Sequence, residues 1–388
     1  MSQKLSAMTY IKNNKRRISV LVVSMALCAV LFYLCHFLLS CTTETFHVLL
    51  VEQPERVQYV SLPWYAMGID GEYEELGLEE FLRRGGEKYQ QLADKLEKED
   101  GVKQVFYVPI IYVELSAVVG QYYSELPLLN REEVAAFMEH CQMEVHRGRL
   151  PEKPGEVLLD EKLMQNASYQ LGDSIRDYPD TEIVGTTKGD SYFSCGVGSE
   201  NDDTNKMLVI LSDGSTTDML ALLHQMGYEF EDNDAKVVDV KTGKEDLQHN
   251  VVDAISTSTN VVYIVIIAIL SLSMLVVYAA YLRDRRDEWC LYCSIGYSRK
   301  TIYFAVLREL LFTFCAAFLA GGILSAAFVL VLDHTLIASI GVMCKYFYPE
   351  IIGQILCVFI LILGLLQIPV RIALYKIRTI DAIDDDLL

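Results

Sequence analysis

Ile18–Leu39 reads ISVLVVSMALCAVLFYLCHFLL, and this stretch decides the class of fold. Its 22 residues contain no Asp, Glu, Lys or Arg. Val261–Leu282 (22 residues), Leu310–Leu332 (23) and Ile351–Val370 (20) are equally free of those charges. At about 1.5 Å per residue each helix would be roughly 30–35 Å long, the thickness of a bilayer hydrocarbon core. One charge at a helix centre costs about 2.5–3.5 kcal/mol, so four uncharged stretches of this length point to membrane spans. The expected fold is membrane α-helical, with four transmembrane helices. A large extracytoplasmic α+β domain is inserted between helices 1 and 2.

The short connections set the orientation. Lys4, Lys12, Lys15, Arg16 and Arg17 precede the first span. Arg283, Arg285, Arg286, Arg299, Lys300 and Arg308 fill the loop 283–309, and Arg371, Lys376 and Arg378 follow the last span. The loop 333–350 carries only Lys345. By the positive-inside rule both termini and the loop 283–309 are cytoplasmic. The domain 40–260 and the short loop 333–350 lie outside, in a multi-pass protein of the cell membrane. Residues 41–260 hold 42 acidic against 18 basic residues, a net of −24, within a whole-chain charge of −19. An acidic domain lacks the basic footprint that nucleic acids require. It would attract cationic peptides, although a solvated acidic surface explains the same composition.

Leu38-Leu39-Ser40-Cys41 looks like a lipoprotein cleavage box. A signal h-region runs about 7–15 residues, however, and this one is longer, so an uncleaved helix with Cys41 at its outer end is expected. Of the ten cysteines, only Cys41, Cys141, Cys195 and Cys344 fall outside the spans and the cytoplasmic loop. A Cys141–Cys195 bridge is compatible with this placement, but spacing does not establish it.

The outer domain mixes helix and strand patterns. Phe46–Val51, Val57–Leu62, Gln104–Leu115, Lys206–Leu211 and Ala235–Val240 read as strands. Gly77–Asp100 has a helical apolar face. Asn130 with Glu133, and Ser215 with Asp218, are helix-start signatures, and Asp246–Asn260 leads helically into the second span. A β-rich middle covers roughly 143–205. No catalytic constellation is present. The histidines make no helical zinc pair, and His140 and His146 flank Cys141 without a further ligand pair. There is no G-x-S-x-G elbow and no G-x-x-x-x-G-K-[ST] loop. The chain is therefore expected not to be an enzyme by itself, and to hold no cofactor or metal. Asn166-Ala167-Ser168 fits a glycosylation acceptor, relevant only to a eukaryotic secretory route.

Arg286-Asp287-Glu288-Trp289-Cys290-Leu291-Tyr292-Cys293-Ser294-Ile295-Gly296-Tyr297-Ser298 resembles the R-x-E-x-x-x-L-x-x-I-G-x-S pattern of FtsX-like (MacB-type) ABC transporter permeases. Ile302, Arg308-Glu309-Leu310-Leu311 and Leu319-Ala320-Gly321-Gly322 continue the likeness. Gly148–Val157 through Leu171–Ile175 resembles the G-R-x-P-x-x-x-G-E … G-D-x-I segment of the family's MacB-like periplasmic core domain, and Ile183-Val184-Gly185 follows where that family has a strand. Asn13–Arg17 resembles its amphipathic elbow. The domains are then an elbow 1–17, spans 18–39, 261–282, 310–332 and 351–370, a loop 283–309, a short outer loop 333–350 and a tail 371–388. Tyr292-Cys293 departs from the family's basic-plus-alanine pair, and the four-span unit has no internal repeat.

The resemblance implies that Glu288–Ile295 forms a coupling helix on a cytoplasmic ABC ATPase and that Gly296 ends it. Trp289, Leu291, Tyr292 and Ile295 would supply apolar contact, and Gly296 fits an αL cap. A membrane-surface helix with Trp and Tyr at the headgroups is the competing reading. Cys290 and Cys293 have redox spacing without a thioredoxin-like surround. Arg308 is expected to snorkel, and Glu309 to pair with a loop arginine. Ala320, Gly321 and Gly322 form a small face for helix packing, either within the subunit or between two permease subunits. No span holds an Asp, Glu, Lys or Arg relay, which argues against a proton-coupled carrier. The implied function is a permease subunit driven by two copies of a separate ATPase, with ATP bound there. It would pair with a second, same or related, permease chain and export or extract a peptide, lipid, lipoprotein or drug. Mechanical signalling to a cell-wall hydrolase or sensor kinase, and a tethered binding protein without an ATPase, are the alternatives.

Overall fold

The computed structural model describes residues 11, 14–69, 77–188, 191–199, 205–214 and 218–376. Most of the expected elbow 1–17, Ser215, and the end of the expected tail (377–388) lie outside the described residues. In chain order the elements begin with α1 (Lys15–His47), β1 (Val57–Ser61), α2 (Leu78–Leu96), β2 (Val102–Ser116), β3 (Gln121–Leu129) and α3 (Arg131–His140). Then come β4 (Val145–Gly148), β5 (Glu156–Asp160), α4 (Glu161–Asn166), β6 (Glu182–Thr187), β7 (Cys195–Val197), β8 (Lys206–Ser212) and α5 (Met219–Gln225). The chain finishes with β9 (Lys236–Val238), α6 (Val240–Asp246), α7 (Asp253–Asp284), α8 (Arg286–Ser294), α9 (Arg299–Leu332) and α10 (Pro349–Lys376). Two units result: Met1–Leu38, Ser256–Leu332 and Tyr346–Leu388 form one, and Leu39–Ile255 with Asp333–Lys345 forms the other.

In the first unit, three helices among the described residues are long and apolar enough to cross a membrane: Ile18–Glu52, Arg299–Ile340 and Pro349–Tyr375. The expected second span, Val261–Leu282, falls within α7, where several side chains lie outside the described residues. Gly321 of α9 is buried against α1. A Cβ there would meet Ala29 Cβ at 2.9 Å and the Ala26 carbonyl at 3.2 Å. Small residues allow this approach because lipid provides no hydrophobic drive between helices.

The second unit is built on a nine-stranded mixed sheet ordered β4-β6-β5-β7-β3-β2-β8-β1-β9. The Met207–Leu211 run is apolar at every position because both faces of β8 are covered. Leu208 and Ile210 pack with Phe81, Leu92 and Leu96 of α2, while Val209 and Leu211 pack with Val134 and Phe137 of α3. Tyr89 ties α2 to the end of β1, its hydroxyl accepting from Leu62 N at 2.8 Å and donating to Leu62 O at 2.6 Å. Asn130 and Glu133 form the expected capping box of α3. Asp218 caps α5 through Ala221 N at 3.0 Å. His140 Nε2 lies 2.9 Å from both the Arg56 and Ser212 carbonyls, which ties α3 to the chain beside β1 and the end of β8.

Phe46–Val51 corrects the sequence reading: it is helical rather than extended. α1 runs to His47 and continues as a wide turn, Val48–Glu52. Phe46, Val48, Leu49 and Leu50 join a core with Ile111, Val113, Leu126 and Val157. A short continuous apolar run has no period that separates helix from strand, and packing decides between them.

Residues 333–345 of the loop expected to be a short outer connection belong to this unit. Tyr192 OH donates to Gly341 O at 3.0 Å, and Asn166 Nδ2 donates to Ile340 O at 2.6 Å. Asn166 also exchanges two bonds of 2.7 Å with the Ser116 backbone, so its amide serves structure rather than glycan attachment. Cys141 and Cys195 lie buried in one apolar cluster as free thiols.

The Gly148–Glu156 motif closes a structural clasp. Gly148 has φ +78°, and a Cβ there would stand 2.2 Å from the Val184 carbonyl. Arg149 forks onto Glu156 with two contacts of 2.6 Å, and Glu156 also accepts from Glu152 N at 2.8 Å and Lys153 N at 3.2 Å. The Arg149 guanidinium and these backbone donors hold the Glu156 carboxyl at about 2. Because that value is depressed, the stabilisation is full above the ordinary carboxyl value of 4.5 and is lost as pH falls toward 2. Limited proteolysis of the loop 149–156 should therefore accelerate across that window in the parent protein. Glu156→Gln should be cut faster at neutral pH and show a flatter acid dependence.

Candidate functional site

The loop 283–309 organises the ends of α7 and α9 around α8. α7 stops at Asp284, and Arg285 adopts φ −97°, ψ −3°, which turns the chain into α8. The side chain of Arg285 is buried. Its Nη1 donates to Glu309 Oε2 at 2.7 Å and to Tyr281 OH at 3.1 Å, and its Nε donates to Glu288 Oε2 at 3.3 Å. The Tyr281 hydroxyl in turn donates to Glu309 Oε1. The guanidinium carbon lies 5.4 Å from the Tyr281 ring centre and 5.8 Å from that of Trp289. Thr313 Oγ1 caps the Glu309 carbonyl at 2.9 Å, one turn further along α9.

A buried ion pair of this kind need not add net stability, because desolvation offsets the attraction. It does penalise separation of its partners, since each would be left charged and unpaired. α7, α8 and α9 are held together through one guanidinium for this reason.

The far end of α8 closes on a Schellman motif. Gly296 has φ +96°, its N–H donates to Cys293 O at 3.1 Å, and Tyr297 N donates to Tyr292 O at 3.0 Å. The Tyr292 and Tyr297 rings meet edge-on at 6.1 Å, the apolar contact that accompanies such a cap. Ser298 then starts α9, with Oγ accepting from Thr301 N at 3.2 Å.

The expected site residues therefore divide. Trp289 is a correction: it is 0 % exposed and packs inward beside Arg285, so it offers no surface to a partner. Glu288 is half-buried and engaged with Arg285. Leu291 (58 % exposed) and Ile295 (65 %) present an unpartnered apolar pair one turn apart, with Tyr292 half-buried between them and Gly296 exposed beside Ile295. Glu309 pairs with a loop arginine as expected, and Arg308 is exposed. Gly321 packs within the subunit, Ala320 is half-buried, and a Cβ on Gly322 would meet nothing within 4 Å. Sequence reasoning missed Arg285 and Tyr281. Their signal was the four-residue spacing Tyr281, Arg285, Trp289, which brings the three together across the α7–α8 bend.

Residues 260–382 match the family described as FtsX-like permease C-terminal, in agreement with the resemblance seen in the loop. Among solved structures, the periplasmic region of MacB from Actinobacillus actinomycetemcomitans aligns at 12 % identity. The alignment covers 50 % of this chain and 93 % of that one, with a TM-score of 0.26. The extracellular domain of the noncanonic ABC-type transporter YknZ from Gram-positive bacteria aligns at 15 % identity over 39 % of this chain and 88 % of that one, with a TM-score of 0.24. Curated protein sequences give no match.

Arg285→Leu or Glu309→Leu should each destabilise the membrane unit by about 3–5 kcal/mol, as expected when one member of a buried ion pair is removed. The double Leu variant should recover most of that loss. Thermal unfolding of detergent-solubilised protein, read as a double-mutant cycle, measures the coupling.

Proposed function

We propose, taking the FtsX-like permease match over residues 260–382 as premise, that this chain is the membrane subunit of an ABC transporter. Its α8 is the handle on which a cytoplasmic ATPase bears. The observation that carries the reading is the division of α8 into two faces. One face is locked by Arg285, Trp289 and Glu309, and the other leaves Leu291 and Ile295 uncovered. A helix with one face anchored and one apolar face free suits docking into a groove on a partner.

The mechanism follows from the anchor. ATP binding and hydrolysis take place in the partner, which displaces α8. The buried ion pair makes movement of α8 away from the ends of α7 and α9 costly, so the displacement passes into those helices. In this reading the chain has four spans and cytoplasmic termini, and it presents its acidic α+β domain outside. Two ATPase copies and a second permease chain complete the assembly. The chain is not an enzyme by itself and binds no cofactor. The four uncharged stretches support a lever acting through helix displacement over a proton relay. The cargo class is a peptide, lipid, lipoprotein or drug, handled by the outer domain.

Tagged full-length protein solubilised from its native membrane should bring down an ABC ATPase. Leu291→Asp and Ile295→Asp should each weaken that association at least about tenfold, equivalent to ~1.4 kcal/mol, while leaving the thermal unfolding of the permease unchanged. Undiminished ATPase recovery with both variants would sink the docking assignment.

A further inference from the structure

In the outer unit, residues 41–45 of α1 lie against Met343–Lys345, a segment remote in sequence. Met343 N donates to Thr45 Oγ1 at 3.1 Å, and Lys345 Nζ pairs with Glu44 Oε1 at 2.5 Å. Cys344 stands between those two contacts, and Cys41 lies one helical turn before Thr45, whose hydroxyl donates to the Cys41 carbonyl at 2.9 Å. These contacts bring the two thiols near each other, close enough for each to perturb the other's ionisation. Both are free; Cys41 is buried and Cys344 half-buried. α1 runs through Cys41 without a break.

We infer that Cys41 and Cys344 form a reversible disulfide that staples the end of α1 to the segment leading into α10. This inference goes beyond the ABC-subunit reading and does not depend on it.

The two sulfurs differ in a way that assigns roles. The neighbouring Cys41 thiol holds the Cys344 thiol below its ordinary value, and the nearby Lys162 ammonium acts in the same direction. Asp333 Oδ1, at 3.4 Å, accepts the Cys344 proton and opposes that shift. Cys344 is the more accessible sulfur and therefore the attacking one. The other outer cysteines are poor competitors: burial pushes Cys195 up to about 12 and Cys141 well above a thiol's usual range.

The oxidant is an external disulfide, R–S–S–R. The Cys344 thiolate attacks one of its sulfurs, forms a mixed disulfide and releases RS⁻. Cys41 then loses its proton and attacks the Cys344 sulfur, displacing the second RS⁻. The two protons given up by Cys41 and Cys344 convert both leaving groups to RSH. Two thiols are oxidised and one disulfide is reduced. In the bridged form, any rearrangement that parts residues 41–45 from 343–345 requires the bond to be broken first.

The test uses the full-length chain in its native membrane, treated with oxidised glutathione, denatured, alkylated and mapped by mass spectrometry. The expected result is a Cys41–Cys344 linked peptide, with Cys141 and Cys195 alkylated as free thiols. Dithiothreitol should restore alkylation at both bridged positions, and Cys344→Ser or Cys41→Ser should abolish the linked peptide. Full alkylation of Cys41 and Cys344 after glutathione treatment would overturn the inference. So would a bridge from either to Cys141 or Cys195, or a diacylglyceryl group on Cys41.

Discussion

The guanidinium of Arg285, out of water and shared between Glu309, Tyr281 and Glu288, is the constraint that holds α7, α8 and α9 together. It sits at the bend between α7 and α8, and its main partner lies in the first third of α9. Burial turns an ordinary ion pair into a geometric lock, because parting the two charges would leave each without solvent or partner. Trp289 closes over the same group and removes it further from water. The orientation of α8 follows from that lock. With Trp289 turned inward, Leu291 and Ile295 are left pointing away, and the free face of the helix is defined by what its other face has to cover.

The sheet-bearing unit is ordered by a different principle. A single mixed sheet is covered on both sides at β8, whose Met207–Leu211 run is apolar at every position. Its turns are fixed by local polar clasps, among them Arg149 with Glu156 and the Asn130 capping box. The 333–345 segment extends this pattern through backbone carbonyls at Ile340 and Gly341 that are met by Asn166 and Tyr192. Residues that look functional as motifs prove structural here. The G-R-x-P-x-x-x-G-E segment is a closed loop, and His140 serves two carbonyls.

How much of this was legible beforehand depended on whether the signal was local. The Asn130 capping box, the Gly296 stop and the amphipathic face of α2 are read from residues within a few positions of one another, and each was found, whereas the α5 cap is Asp218 itself and the Ser215 start expected three positions earlier lies outside the described residues. The pairing of Glu309 with a loop arginine was foreseen as a class of contact, but three arginines lie within four positions and only packing selected Arg285. Trp289 was misassigned because an aromatic residue on a short helix suits a partner surface and a buried contact equally well. Phe46–Val51 was misread because six consecutive, mostly apolar residues carry no period.

By itself the sequence determined the four apolar stretches, the acidic domain between the first two, and the helix-start and helix-stop chemistry. Hydropathy over about 20 residues, net charge and capping are properties of neighbouring residues, and they survive without knowledge of the fold. The tertiary structure decided which arginine is buried, which side of α8 is free, that one sheet unites nine strands, and that Cys41 meets Cys344 across 303 positions of chain. Those outcomes depend on burial and on long-range proximity, and neither is encoded at any single position.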